Sequence, residues 1–191
     1  MLQILLIMLM TGCTSTNSLV NDEPHSLVDR ESYLYTLENS DGSKTEVKSH
    51  LTGILTNMDY ENLKSHLKDI SNKELDFNKR IIINYIDNDP RIYRKNYQVP
   101  WDIFYGNMEA DLAKFGKANH FWVINKGVTD LHYYHGDKIK WIEDKNNVVR
   151  KLFFAYDGLN GGFVIIKPNG EYFLNIGEYT KSNFLETHKE F

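Results

Sequence analysis

The sequence predicts an α/β domain in which helices cover both faces of a mixed β-sheet with a parallel core. Residues 161–175 read Gly-Gly-Phe-Val-Ile-Ile-Lys-Pro-Asn-Gly-Glu-Tyr-Phe-Leu-Asn. Residues 163–166 are apolar at every position, which is typical of a strand buried on both faces. Pro168 and Gly170 favour a tight turn into a second strand. We therefore expect an antiparallel hairpin that belongs to the sheet.

Two further apolar runs, residues 81–86 and 121–124, predict the other buried strands. Stretches with helical periodicity separate the runs, and strands that alternate with helices favour a parallel core. A last helix, beginning at Thr180 or Ser182, follows the C-terminal hairpin. The predicted fold is thus a three-layer sandwich whose mixed sheet ends in an antiparallel hairpin and a final helix. A parallel sheet with another winding is the alternative.

Local patterns predict the remaining strands. Asp41 and Gly42 lie between residues 33–37 and 45–49, and an Asp-Gly turn between alternating runs predicts an opening hairpin. Residues 138–142 also alternate, which predicts a short extended segment.

Helical spacing places three helices before the C-terminal hairpin. Asp59 is expected to cap the first helix, whose apolar positions are Tyr60, Leu63, Leu67 and Ile70. Asn147 is expected to cap the third helix, and Gly158 to end it. The second helix, closed by Gly116, carries a continuous stripe that we interpret as core: Trp101, Phe104, Tyr105, Met108, Leu112 and Phe115.

Composition excludes several classes of function. The chain has 191 residues and a formal net charge of -4, so it lacks the positive field that binds nucleic acid, and we expect no nucleic-acid partner. Cys13 is its single cysteine, which leaves the folded domain without a disulfide framework, a cysteine-based zinc site or a thiol nucleophile. No phosphate-binding glycine loop is present either, and we expect no cofactor.

The N-terminal residues predict an export signal. Residues 2–10 are nearly all apolar, a run too short to span a bilayer but of the length found in signal peptides. Residues 9–13 read Leu-Met-Thr-Gly-Cys and resemble the lipobox of bacterial lipoproteins. The resemblance implies that residues 1–12 are removed and that Cys13 is diacylated. Met10 stands where that family usually has Leu, Val or Ala, and neither Lys nor Arg precedes the apolar run.

A lipidated Cys13 gives the chain an expected address. Residues 13–30 are rich in Ser, Thr, Asn and Asp, as suits a tether between a membrane and a domain formed by residues 31–191. We expect a protein of the bacterial cell envelope on the periplasmic or outer-membrane face, with the membrane as a partner through the lipid on Cys13. The alternative is a soluble protein with an apolar N-terminus and an ordinary cysteine.

The predicted order of strands and helices resembles the thioredoxin fold, particularly its peroxiredoxin-like members. The similarity is closest over residues 144–178. There Asp-Lys-Asn-Asn-Val-Val-Arg-Lys-Leu-Phe-Phe-Ala-Tyr leads through a short loop to Gly-Phe-Val-Ile-Ile-Lys-Pro-Asn-Gly-Glu. This order of an aspartate, a short helix, a buried strand and a turn is similar to that family's, and it implies a thioredoxin-like sheet.

The chain departs from that family at both halves of the redox site. The family places its cysteines after the strand that corresponds to residues 81–86, where this chain has Asp-Asn-Asp-Pro-Arg. A thioredoxin also has a cis-proline just before the strand that corresponds to residues 163–166, and here Asn160, Gly161 and Gly162 precede that strand. We therefore expect neither thiol–disulfide exchange nor peroxidase activity, because the reacting sulfur atoms are absent.

The same strand end carries the densest polar cluster of the sequence, and its candidate binding residues are Asp87, Asp89, Arg91, Arg94 and Lys95. Ligands of open α/β sheets bind beyond the carboxyl ends of the strands, so this position suits a binding site. Arginine and lysine beside backbone amides suit an anion. In the alternative interpretation the aspartates cap a turn and the basic side chains are solvated. No catalytic residue is assigned.

Two histidines, His132 and His135, are three residues apart and are the weak candidates for a metal site. Gly136 disfavours the helix on which they would share a face, and two helical zinc-binding histidines are more often four residues apart. We expect no metal, and interpret these histidines as structural or surface residues.

Together these observations favour a lipid-anchored envelope protein whose non-redox thioredoxin-like domain binds a protein partner of unknown identity. The alternative is an envelope enzyme that uses residues 87–95 on a small anionic substrate.

Overall fold

The computed structural model describes residues 32–39, 41–87, 102–128, 131, 136–156, 159 and 161–191. A short 3-10 helix spans Asp102–Phe104. The elements in chain order are β1 (Leu34–Glu38), β2 (Lys44–Lys48), β3 (His50–Ile54), α1 (Asn57–Ser71), β4 (Arg80–Ile86), α2 (Met108–Ala113), β5 (Ala118–Ile124), β6 (Ile142–Glu143), α3 (Val148–Phe153), β7 (Gly162–Ile166), β8 (Glu171–Ile176) and α4 (Lys181–Glu190). Within the described ranges, every helix is too short or too polar to cross a membrane.

A six-stranded sheet with the strand order β3-β8-β7-β4-β5-β6 organises the domain. β4, β5 and β6 run parallel to one another. On the other side of β4, the pairs β4–β7, β7–β8 and β8–β3 are antiparallel. A parallel β4-α2-β5 unit is thus followed by an antiparallel β7-β8 hairpin and α4. This arrangement confirms the predicted thioredoxin-like α/β fold with its parallel core, C-terminal hairpin and final helix.

Helices lie on both faces of this sheet and bury two separate apolar clusters. One cluster contains Leu63 and Leu67 of α1 together with Val149 and Phe153 of α3. The other contains Met108 and Leu112 of α2 together with Phe184 of α4. β4 and β7 contribute to both clusters, which is why these two strands are apolar at successive positions. The predicted three layers are therefore present.

The opening hairpin forms as predicted, but it is a separate two-stranded sheet. β1 and β2 pair antiparallel, and the turn is closed by a hydrogen bond of 2.9 Å from the Gly42 amide to the Asn39 carbonyl. The sequence interpretation missed β3, which follows β2 after Ser49 and pairs with β8 at the sheet edge. β3 is polar or exposed at most positions, so it lacks the apolar run that identifies the central strands.

Two predicted helix boundaries were wrong. Thr56, not Asp59, is the N-cap of α1, because the Thr56 hydroxyl accepts a hydrogen bond of 3.1 Å from the Asp59 amide. Thr56 Oγ1 also donates to the Asp59 carboxylate at 2.7 Å, so Asp59 lies in the first turn as part of a reciprocal cap. α2 ends with Lys114 in the C-cap position, two residues before the predicted Gly116. Gly158, the predicted end of α3, lies outside the described residues, and α3 ends at Phe153.

The apolar stripe predicted as one helix is interrupted. The 3-10 helix ends at Phe104, Gly106 has a φ of +78°, and α2 begins after Asn107, whose side chain caps the Ala110 amide. The left-handed backbone at Gly106 cannot continue a helix. Met108 and Leu112 are buried as expected, whereas Tyr105 and Phe115 are exposed. Trp101, the first residue of the stripe, lies outside the described residues.

The segment predicted as extended over residues 138–142 is a strand only at its last residue. Residues 136–139 form the turn, and only Ile142 and Glu143 pair with β5 as β6. On the side of β5 that faces away from β4, Val123 and Ile124 therefore pair with β6. Residues 118–122 have no strand partner on that side within the described part of the chain.

Candidate functional site

The three parallel strands end at the same edge of the sheet, and each is followed directly by a polar residue. Asp87 follows β4, Asn125 follows β5 and Asp144 follows β6. Because this edge is where open α/β sheets bind their ligands, these side chains define the candidate site. They form a connected group, described below, that we call the strand-end network: Tyr85, Asp87, Asn125, Asp144, Arg150 and His66.

Asp87 is a buried carboxylate that is paired with a cation. Its side chain is only 2% exposed, and Arg150 Nε donates to Asp87 Oδ1 at 3.0 Å. Asn125 Nδ2 lies 3.0 Å from both the backbone carbonyl oxygen and Oδ1 of Asp87. These donors stabilise the ionised carboxylate and fix the backbone where the chain leaves β4. Asp87 is therefore held as a structural ion.

Asp144 holds the beginning of α3. Its Oδ1 accepts from the Val148 amide at 2.9 Å, and its Oδ2 accepts from the Arg150 amide at 3.0 Å. Asn147 occupies the predicted N-cap position, but it has a φ of +54° and makes no side-chain cap hydrogen bond. Asp144 replaces it because the turn at residues 145–147 brings the carboxylate beneath the unpaired amides of the first helical turn.

Asp144 also joins α3 to α1 through His66. His66 Nε2 lies 2.7 Å from Asp144 Oδ1, and both side chains are buried. Burial alone would raise the pKa of Asp144, but hydrogen bonds from His66 and from the Arg150 amide outweigh it and lower the pKa. Asp144 therefore stays ionised at neutral pH and is not suited to act as a general acid there.

Tyr85 closes the network from within the sheet. Its ring stacks on Phe154 with centroids 4.6 Å apart, and its hydroxyl lies 3.5 Å from Asp87 Oδ1. Burial, followed by the negative charges of Asp87 and Asp144, raises the pKa of Tyr85 far above the usual range. The phenol is therefore neutral at physiological pH. The network therefore supports the strand ends, and neither Asp144 nor Tyr85 changes its charge near neutral pH.

Two glycines, Gly161 and Gly162, lie next to this edge. An added Cβ on Gly161 would lie 2.0 Å from the Tyr85 carbonyl oxygen, and one on Gly162 would lie 2.0 Å from the Asn175 carbonyl oxygen. Their φ angles of +98° and +153° are also incompatible with the fixed φ of proline. The backbone of β4 and β8 thus approaches this position too closely for any side chain.

The structure locates one of the predicted binding residues. Asp87 lies at the strand end and contacts Arg150 and Asn125. The other four predicted residues lie outside the described part of the chain, as do His132 and His135: they are Asp89, Arg91, Arg94 and Lys95. Those assignments stay predictions. In the described ranges, no group of three His, Cys, Asp or Glu side chains is placed to hold a metal ion.

Sequence reasoning missed Asn125, Asp144 and Arg150, of which Asn125 and Arg150 contact Asp87 and Asp144 holds the beginning of α3. A signal was present for the first two, since each directly follows a predicted strand of a parallel sheet, as Asp87 does. Arg150 carried no such signal. Its side chain, which is 24% exposed, reaches Asp87 from the short helix α3, and this contact depends on how that helix packs.

A second polar chain crosses the opposite face of the central strands. His120 Nε2 lies 2.6 Å from Asn84 Oδ1, and Asn84 Nδ2 donates to the Tyr179 hydroxyl at 2.7 Å. Because Asn84 Oδ1 is an acceptor, His120 carries its proton on Nε2. Burial, with smaller contributions from Lys73 and His188, lowers the pKa of His120 to about 3. His120 is thus neutral at physiological pH, with an acceptor lone pair on Nδ1.

Comparison with known proteins leaves the family open. No protein family and no curated protein matches the chain. Among solved structures, it is similar to the pneumococcal exposed lipoprotein thioredoxin (Etrx1) from Streptococcus pneumoniae strain TIGR4, with 11% sequence identity and a TM-score of 0.36. The similarity covers 83% of this chain and 100% of that chain. The thioredoxin-like fold stated above rests on the order and directions of the strands.

Proposed function

We propose that this protein is a lipid-anchored protein of the bacterial cell envelope whose thioredoxin-like domain acts by binding a partner, without thiol–disulfide chemistry. The observation that carries the proposal is the state of the strand end. The redox members of this fold have a cysteine in the segment that follows the strand corresponding to β4. In this chain that segment starts at Asp87, a buried carboxylate paired with Arg150. The single cysteine, Cys13, is the proposed lipidation site and is not available for redox chemistry.

The proposed binding segment is the stretch that leaves Asp87. It contains Asp89, Arg91, Arg94 and Lys95, so basic residues outnumber acidic ones. Arginine and lysine recognise carboxylates and phosphates, which favours an acidic surface on a protein partner. The strand-end network supports this role because it fixes the backbone at the start of the segment. The second candidate, an enzyme acting on a small anion, requires a titratable group, and Asp87 is already neutralised by a cation.

The test is affinity capture of the tagged, full-length protein from intact envelopes. We expect the wild type to recover one specific protein partner, and the R91Q/R94Q/K95Q variant to lose at least about 90% of it, because several charge-assisted contacts disappear together. The control is K44Q/K48Q/K151Q, which removes the same number of positive charges from exposed positions on β2 and α3. Equal recovery by all three proteins, or no specific recovery, would contradict the binding role.

The anchor has its own control in the same cells. Metabolic labelling with palmitate is expected to mark the wild type and to be lost in Cys13→Ser. An unlabelled wild type would contradict the lipid anchor.

A further inference from the structure

A cavity of about 420 Å³ lies beside the open edge of β5. Its walls come from the end of α1, the 3-10 helix and the start of α2, residues 120–122 of β5, and the turn before β6. Because β6 pairs only with the last two residues of β5, no strand among the described residues fills the space beside residues 120–122. The volume falls in the range of small-molecule sites. The lining includes no residue of the strand-end network.

One side of the cavity is aromatic. Phe104 and Trp122 line it with ring centroids 5.4 Å apart, and Trp141 packs against both at 6.0 and 5.5 Å. Ile103, Met108 and Ile142 extend the apolar lining. A cluster of packed rings offers a rigid face on which a flat ring can stack. This wall therefore suits the apolar part of a ligand.

The polar part of the lining is cationic. Lys73, Lys138 and Lys140 line the cavity and are exposed, whereas Glu109 is the acidic residue of the described lining. Within the described residues, none of these three lysines forms an ion pair. The charge of Lys73 also contributes to the lowered pKa of His120, so it acts on the interior of the cavity. The cavity is thus electropositive at its rim.

His120 adds a neutral polar group to the same lining. Its Nε2 is committed to Asn84, and its buried Nδ1 has no hydrogen-bond partner. A buried acceptor without a donor costs free energy, and an N–H or O–H group of a ligand would remove that cost. The lysines rather than His120 would supply the positive charge for an anionic ligand.

We propose that this cavity binds a small organic anion that carries a flat apolar ring. The ring lies against Phe104 and Trp122, and the anionic group lies among Lys73, Lys138 and Lys140. This proposal rests on described residues other than those that carry the proposed function, and it stands or falls independently of that function.

The test uses two fluorescent probes that differ in charge. 8-Anilinonaphthalene-1-sulfonate has aromatic rings, an N–H group and a sulfonate, and N-phenyl-1-naphthylamine has the same rings and N–H group without the sulfonate. Titration of the folded protein with the sulfonate is expected to show one saturable site, with energy transfer from Trp122 and Trp141. Its affinity is expected to fall with added salt, because the lysine charges are exposed to solvent.

Matched lysine variants separate this site from general surface binding. K73Q/K138Q/K140Q is expected to weaken binding of the sulfonate about tenfold or more and to leave binding of the uncharged probe within about twofold. K44Q/K48Q/K151Q, which loses the same charge elsewhere, is expected to bind both probes as the wild type does. Thermal unfolding confirms that both variants are folded. Unchanged sulfonate affinity in K73Q/K138Q/K140Q, or an equal loss in both triple variants, would overturn the proposal.

Discussion

Replacing Gly161 with alanine is expected to lower the free energy of unfolding by about 4 kcal/mol or more. The new Cβ would lie 2.0 Å from the carbonyl oxygen of Tyr85 and 3.0 Å from Cα of Ile86. Both atoms belong to the backbone of β4, which hydrogen-bonded strands hold on each side. Neither β4 nor β7, which follows Gly161, can move without breaking hydrogen bonds in the centre of the sheet. Urea unfolding followed by circular dichroism measures the loss.

Gly127→Ala is the matched control. Gly127 has a φ of +94°, close to the +98° of Gly161, but an added Cβ there meets no atom within 4 Å. Its substitution carries the cost of the left-handed backbone alone, about 1 kcal/mol. The difference between the two variants therefore isolates the close approach of β4. Similar losses in both variants would show that the strands do not meet in this way.

Acidification from pH 7.5 to pH 5.0 is expected to lower the free energy of unfolding by about 4 kcal/mol through His120 and His188. Burial lowers the pKa of His120 to about 3 and the pKa of His188 to about 4, the latter with help from the charge of Arg80 and against a hydrogen bond to Leu112. The unfolded chain binds these protons near pH 6.5, whereas the folded protein does not. The contribution of the two histidines to the free energy of unfolding is therefore fully present above pH 6.5, and it is lost as the pH decreases towards their pKa values in the folded protein.

His120→Gln tests the assignment, because glutamine can keep a donor near Asn84 without a titrating ring. Urea titrations at several pH values are expected to show a pH dependence about half as steep as that of the wild type, with the remainder due to His188. A slope unchanged by His120→Gln would exclude His120 as a source of the acid sensitivity.

The fold was predictable where buried elements require a regular pattern of apolar residues. β4 and β7 are continuous apolar runs because they contribute to both apolar clusters, and α1 has apolar residues at helical spacing because it packs on one of them. All three were predicted. β3 was missed because it is a half-exposed edge strand. Its backbone pairs with β8, and its own residues show no apolar pattern that would predict this pairing. The stripe around Gly106 was misread because apolar spacing does not reveal a single left-handed residue.

The candidate site was predictable only in position. The end of β4 could be identified as a binding edge, but the partners of Asp87 lie 38 and 63 residues away along the chain, at Asn125 and Arg150. Asp144 likewise meets His66 across 78 residues. Contacts at such distances depend on how β5, α1 and α3 pack, and no local spacing encodes them.

The most direct test of the structural role of Asp87 is a double-mutant cycle between Asp87 and Arg150. If the strand-end carboxylate supports a binding segment, Asp87→Asn is expected to lower the free energy of unfolding by about 2 kcal/mol, because it leaves Arg150 without its buried anion. Arg150→Met is expected to give a similar loss, with a coupling energy between the two positions of about 1 kcal/mol or more. An Asp87→Asn protein as stable as the wild type or more stable, with no coupling to Arg150, would contradict this structural role, because a carboxylate reserved for chemistry behaves in that way.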